Sequence, residues 1–401
     1  MIMAADKQDK VLNVPTLRFP EFSGEWEKYK LGDIMEFTKV RISSSLLTAV
    51  NYVSTENMLQ DFQGVTCAHN VPEDTNVMEY KQGDVLVSNI RPYLKKVWKA
   101  DKDGGCSADV FVMRANRNVC TDDFLHHIVA NDRFIGYVMN GAKGVKMPRG
   151  DKEQMKGFKT ALPSLKEQQK VAHLLAIINE RIITQIRIID KLQSLMKGLN
   201  DYLQDFVPLS YSLSFSDIGE DYSGLSGKSA EDFGSGKPYI TYVSIYANNF
   251  VEDDCCGKVS VKRDEKQNVV QKGDMLFTLS SETPEEVCYG AVYSGNSTET
   301  YLNSFCFGIR NTEGKVFSPY MAYFFNSNRF RREVYPLAQG STRFNLQKSD
   351  FLQKHFSYPS IDDQHRIFEI LNAYDNKLKV ENQILVHYQH QKEFLLRNLF
   401  I

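Results

Sequence analysis

The sequence predicts an α+β chain built twice over. Two duplicated β-rich α/β domains are separated by two long helices, which pair as an antiparallel coiled coil about an internal pseudo-two-fold. Three observations predict this. Landmark residues recur in the same order in both halves. Short β-like runs broken by turn residues fill the first 150 or so residues of each half. Each half then ends in a sharply started helix with a narrow apolar seam.

The duplication is read from fixed offsets. Gly83-Asp84-Val85-Leu86 recurs as Gly273-Asp274-Met275-Leu276, and Tyr52-Val53-Ser54 as Tyr242-Val243-Ser244, both 190 residues on. Further along the offset is 196: Phe111-Val112-Met113-Arg114 faces Phe307-Gly308-Ile309-Arg310, Gly144 faces Gly340, and Pro163-Ser164 faces Pro359-Ser360. One loop insertion accounts for the drift of six. The chain accordingly divides into a tail (1–14), a first head (15–162), a central helix (163–205), a second head (206–358) and a C-terminal helix (359–401).

Within the heads, Asp84–Ser88, Asp109–Met113 and Ile240–Tyr246 have strand composition and are bounded by Gly, Asn or Asp. Asp122–Asn140 closes the first β-rich region as a helical stretch, and Pro319–Arg332 closes the second.

The long helices start at Ser164, with Glu167 three residues on, and at Ser360, with Asp363. Ser followed at N3 by Glu is the capping-box pattern, in which side chains satisfy orphan amides of the first turn; Asp363 is an acidic near-match. Apolar residues then keep a 3-4 spacing: Val171, Leu175, Ile178, Ile182, Ile189, Leu192, Met196, Leu199 and Leu203, broken by Gln185. The second helix repeats it with Ile367, Leu371, Tyr374, Leu378, Leu385, Tyr388, Leu395 and Leu399, broken by Glu381 and Lys392. So narrow a seam suits another helix, and polar residues at the matched positions Gln185 and Glu381 fix register at some cost in stability. A helix of about 40 residues is ~60 Å long. Duplicated but diverged heads on such a rod would read an asymmetric, split DNA site with a set gap.

Bulk properties permit this reading. The 401 residues are 42% apolar and 24% charged, with formal net charge −2. DNA binding depends on local basic clusters more than on the total. Residues 143–159 and 329–354 each carry six basic side chains against two acidic. No run of 18 apolar residues occurs, the first residues lack a signal-peptide core, and the seven cysteines include no CxxC pair. A cytoplasmic protein with reduced thiols and no membrane contact is expected.

The candidate DNA-binding residues lie mainly late in each head. Ser341, Thr342, Arg343 and Asn345 follow Gly340; Arg suits guanine, Asn suits adenine, and small hydroxyls suit phosphates or base edges. Lys143, Lys146 and Arg149 hold the corresponding place between Gly141 and Gly150. Asn89, Arg91, Lys95 and Lys96, with Tyr93, form another candidate surface after a strand. Arg329, Arg331 and Arg332 are candidates for backbone phosphates.

No catalytic or metal centre is expected. No Pro-Pro occurs, so the Asn/Asp-Pro-Pro-aromatic motif of an amino-methyltransferase is missing. Gly227-Lys228-Ser229 fails as a phosphate loop because Tyr222 stands where the leading Gly belongs. His387 and His390 lack a third ligand, and the adjacent His126 and His127 cannot both face one site on a helix.

The chain resembles the specificity (S) subunit of type I restriction-modification enzymes. Pro15-Thr16-Leu17-Arg18-Phe19-Pro20-Glu21-Phe22 with Gly24-Glu25-Trp26 is similar to that family's start, and Tyr222–Ser229 continuing to Tyr239–Val243 to the entry of its second head. The helix starts Pro163-Ser164-Leu165-Lys166-Glu167-Gln168-Gln169 and Pro359-Ser360-Ile361-Asp362-Asp363-Gln364 resemble the family's too, as does Gly340-Ser341-Thr342-Arg343 before the second of them. Gly141-Ala142-Lys143-Gly144 departs from the Gly-Ser-Thr pattern in the first head. The resemblance implies target recognition domains, helices that dock two adenine-methylating modification subunits, and added motor-nuclease restriction subunits. S-adenosylmethionine, ATP and magnesium would belong to those partners, with no cofactor in this chain. The alternatives are the specificity subunit of a related type II system and, in a different class, a coiled-coil protein-binding scaffold.

Overall fold

The structure, a computed structural model, describes residues 13–400 except Val145, so residues 1–12 of the expected tail lie outside it. The chain divides into two units: the first joins two distant stretches, Met1–Gln185 and Ile384–Ile401, and the second is the continuous stretch Ile186–Gln383.

In the first unit, an antiparallel sheet orders Met35–Phe37, Val110–Ala115, Val85–Ser88 and Val97–Lys99. A second four-stranded sheet orders Arg41–Ser43, Asn76–Tyr80, Gly104–Cys106 and Tyr52–Val53, the last pair parallel. Val85, Val87 and Met113 supply one face of the main core, against Phe124 and Ile128 of the helix Asp122–Val129 and Phe134 of the helix Asp132–Asn140.

The second unit follows the same plan. A five-stranded sheet orders Glu220–Ser223, Cys306–Arg310, Met275–Thr278, Gly290–Tyr293 and Phe250–Val251. Its core is rich in aromatics, with Phe215, Phe277, Phe307, Phe324, Phe325, Phe330 and Phe351 all buried. The expected helical stretches are each two helices: 122–129 and 132–140 in one head, Ser318–Phe324 and Asn328–Val334 in the other. Asn131 and Ser327, matched at the 196 offset, cap the second helix of each pair through their side chains.

One expected strand is corrected. Strand Phe233–Ile240 ends at Ile240, and Tyr242–Ala247 is helical. The Thr241 hydroxyl accepts the Ser244 N–H at 3.1 Å, and this cap outweighs the strand preference of the β-branched and aromatic residues that follow.

The long helices are Leu165–Phe206 and Ile361–Asn398. All twenty seam positions, from Val171 to Leu203 and from Ile367 to Leu399, are buried or half-buried. In the first unit, Val171, Leu175 and Ile178 share a core with Leu395 and Leu399, and the Arg181 guanidinium lies 5.9 Å from the Tyr388 ring centroid. Numbers rise along one helix as they fall along the other, so the two run antiparallel there. In the second unit, Met196, Leu199 and Leu203 pack on the core that holds Ile367 and Leu371. Tyr374 and Leu378 continue that seam, with Leu378 buried and Tyr374 half-buried. Among the remaining seam residues Gln185 and Ile189 are buried, while Ile182, Leu192, Leu385 and Tyr388 are half-buried. Glu381, half-buried, pairs with Lys377 one turn away at 3.4 Å. Among the described residues, no helix is long and apolar enough to cross a membrane.

The helix starts depart in part from the capping box. Ser360 and Asp363 bond at 2.7 Å, and Asp363 N–H donates to the Ser360 hydroxyl. Glu167, by contrast, turns away from its own N-cap. Its buried carboxylate takes two hydrogen bonds from Arg18, both 2.8 Å, and one from the Trp26 indole at 3.3 Å. The opening Leu-Arg-Phe-Pro and Gly-Glu-Trp residues thereby clip the N-terminal segment to the helix start. Gln168 and Gln364 play one matched role: each side chain bonds the carbonyl of the proline five residues back and an amide late in its head, that of Thr121 or Phe317.

Candidate nucleic-acid interface

Two surfaces that looked separate in the first head's sequence are one. Asn89 O accepts the Gly150 N–H at 3.0 Å, and Arg91 N–H donates to Pro148 O at 2.8 Å. Ile90 bridges to Arg149, and Arg149 bridges to Lys143 through two main-chain bonds of 3.0 and 3.1 Å. The 89–96 segment and the 141–150 loop are therefore laced edge to edge. Arg91 and Lys95 both have positive φ, +50° and +53°, either side of the tight turn Pro92–Leu94. A non-glycine residue in that region carries a backbone cost, and such strain concentrates at functional loops.

The exposed side chains on this surface are Arg91, Tyr93, Lys143, Lys146, Met147 and Arg149, with Arg149 3.5 Å from Asp109. Lys95, partly exposed, pairs with Asp132 at 2.8 Å, which raises its pKa. Lys96 is turned inward: its ammonium donates to Thr55 O at 2.6 Å, which removes it from the candidates.

The second head repeats the lacing. Ser280 pairs with Asn345 and Ser281 with Phe344, while Gln339 pairs with Asn345 across the Gly340 turn. The register is that of the first head. Ile90 and Ser280 are 190 apart, Arg149 and Asn345 are 196 apart, and so are Lys143 and Gln339. Ser341, Thr342, Arg343 and Asn345 are all exposed. Arg343 borders a groove of about 330 Å³ with Val243, Ser281, Asn303 and Phe305.

Two of the arginines expected to meet phosphate are committed inside the fold. Arg329 donates to Gln204 O at 3.1 Å and Ser357 O at 2.9 Å, tying the end of the long helix to a strand. Arg331 donates to the carbonyls of Cys288, Glu285 and Val287, and its burial lowers its pKa. Arg332 is exposed, 3.6 Å from Asp205. Among the described residues, no three His, Cys, Asp or Glu side chains gather as a metal site would require.

A family model described as the type I restriction modification DNA specificity domain matches the chain twice, over residues 23–194 and 216–387. The chain belongs to that family. The doubled match of the specificity domain coincides with the doubled frame described above. The chain is 24% identical over 160 residues to the type I restriction enzyme EcoDI specificity subunit of Escherichia coli. That alignment takes in 38% of this chain and 34% of the relative, so it spans about a third of the relative's length. A solved chain from work on complex assembly and conformational transition of the type I R-M system has TM-score 0.58 and 18% identity, over 92% of this chain and 96% of that one. The S subunit of the type I system of M. genitalium has TM-score 0.55 and 14% identity, over 97% and 99%. At these identities the likeness is one of fold, and specificity-domain membership rests on the family match.

Proposed function

We propose that this chain is the non-catalytic DNA specificity subunit of a type I restriction-modification system. Each head reads one half of an asymmetric, bipartite site. The observation that carries this reading is the matched loop frame, Ile90 with Arg149 and Ser280 with Asn345, which presents exposed Arg, Lys, Ser, Thr and Asn at equivalent places in both heads. These side chains suit base edges and phosphates, and their differences between heads suit two unlike half-sites.

The long helices set the gap and dock two modification subunits, with restriction subunits joining that assembly. The first helix is unbroken over 42 residues, about 60 Å. Ile183, Leu195, Val380 and Phe394 lie on the helices outside the seam and are 49–58% exposed, as a protein-covered surface would have them. S-adenosylmethionine, ATP and magnesium are used by those partners in the cytoplasm.

Methylome sequencing of a strain carrying the gene and its modification partner tests the reading; a single bipartite methyladenine motif is expected. Exchanging residues 206–358 for a homologous head should change one half-site only, and a change in both would refute modular reading. Inserting residues within 180–200 should alter the tolerated gap. Affinity should fall by several decades over a few-fold rise in salt if six or more phosphates are touched.

A further inference from the structure

The loop frame fixes a third matched position that no basic cluster marks. Asn89 N–H donates to Asp109 O at 2.8 Å in the first head, and Leu279 N–H donates to Phe305 O at 2.9 Å in the second. These pairs keep the offsets of the duplication, 190 and 196, so Phe305 stands where Asp109 stands. By the same offset Arg343 stands where Met147 stands.

The chemistry at these positions is unlike. Asp109 lies 3.5 Å from Arg149, a charged pair at the surface. Phe305 is 59% exposed and shares its groove with Val243, 68% exposed, whereas Val53, the counterpart of Val243, is 2% exposed. Two neighbouring apolar side chains held in water at a loop rim are costly unless something covers them. Glu282 and Glu286 line the same groove against the single cation Arg343, so the groove does not suit a phosphate chain. It suits a base edge. In the major groove only thymine presents an apolar group, its 5-methyl.

Resting on the DNA reading above, we infer that Phe305 and Val243 form the contact for a thymine 5-methyl group. The second head then reads a T·A pair beside the base pair reached by Arg343. Asp109 at the matched position denies the first head that contact.

The test uses the full chain. Bound duplexes are selected from a random pool, and Arg343→Ala identifies the half-site read by the second head. Each thymine of that half-site is then replaced by uracil, which removes only the methyl. One replacement should weaken wild-type binding about fourfold, the equivalent of burying one such group. Phe305→Asp should bind the thymine and uracil duplexes equally, with an unchanged melting temperature and first half-site. Phe305→Leu should keep the discrimination. The inference is overturned if no uracil replacement weakens wild-type binding, or if Phe305→Asp still discriminates. A wild-type pool with no enriched sequence would overturn DNA reading as well.

Discussion

Arg114 grips the buried carboxylate of Asp84 with two guanidinium nitrogens, at 2.8 and 2.6 Å. Arg310 repeats the grip on Asp274 at 3.1 and 2.8 Å, where Tyr222 adds a hydroxyl donor at 2.7 Å. Each Asp also accepts the N–H of the residue three before it, closing the turn into a central strand. Arg310→Ala strands a carboxylate that the fold has already desolvated. It should cost about 3 kcal/mol in urea unfolding, and Arg114→Ala a similar amount. Wild-type midpoints in both variants would show that the pairs are ornamental.

The Arg18 clip on Glu167 makes the N-terminal segment part of the first unit. Arg18→Ala leaves Glu167 with the Trp26 indole alone among these donors, so stability should drop by about 2 kcal/mol. Limited proteolysis should cut first within residues 13–26. Unchanged protection there would contradict the role given to the clip.

Acid should weaken the first unit through its paired histidines. His127 is buried against Phe400 and beside His126; burial depresses both, His126 to about 4, and Lys392 adds to the effect. A depressed histidine folds neutral, so its contribution is complete above the unfolded value of about 6.5 and is lost as pH falls toward 4. The wild-type melting temperature should fall between pH 7 and pH 5 by more than that of His127→Phe. Parallel pH profiles for the two proteins would count against it.

Gly340 has φ +141°, and a Cβ there would sit 2.1 Å from Arg343 O, whereas at Gly144 the nearest atom is 3.3 Å away. Gly340→Ala should therefore distort the second head's loop and weaken its half-site at least tenfold in a binding titration. Gly144→Ala should change the first half-site less. The reverse order of effects would be inconsistent with this geometry.

Much of the fold was legible because duplication and helical seams are written along the chain. Gly83 and Gly273, or Ser164 and Ser360, declare themselves by position, and every seam residue from Val171 to Leu399 followed a spacing that burial imposes. What escaped was set by pairing across the chain. Nothing local to Asn89 or Gly150 says that they bond each other, so in sequence one surface looks like two. Arg329 and Arg331 look like surface cations until the carbonyls they satisfy are brought to them. Glu167 sits in a cap motif, yet an arginine 149 residues upstream claims it. Phe305 carries no such signal, because an aromatic residue in sequence suggests core, and only its exposure and its match to Asp109 mark it out.

The first unit's core includes Leu395 and Leu399. During synthesis the first head emerges early, yet the part of its core that Leu395 and Leu399 cover stays open until those residues are made. The first unit's core is therefore completed only after the second unit has been made. A stop codon that removed residues 384–401 would leave the first unit's core open on that face. Truncated products should be cleared by chaperones and proteases before they compete for a place in an assembly.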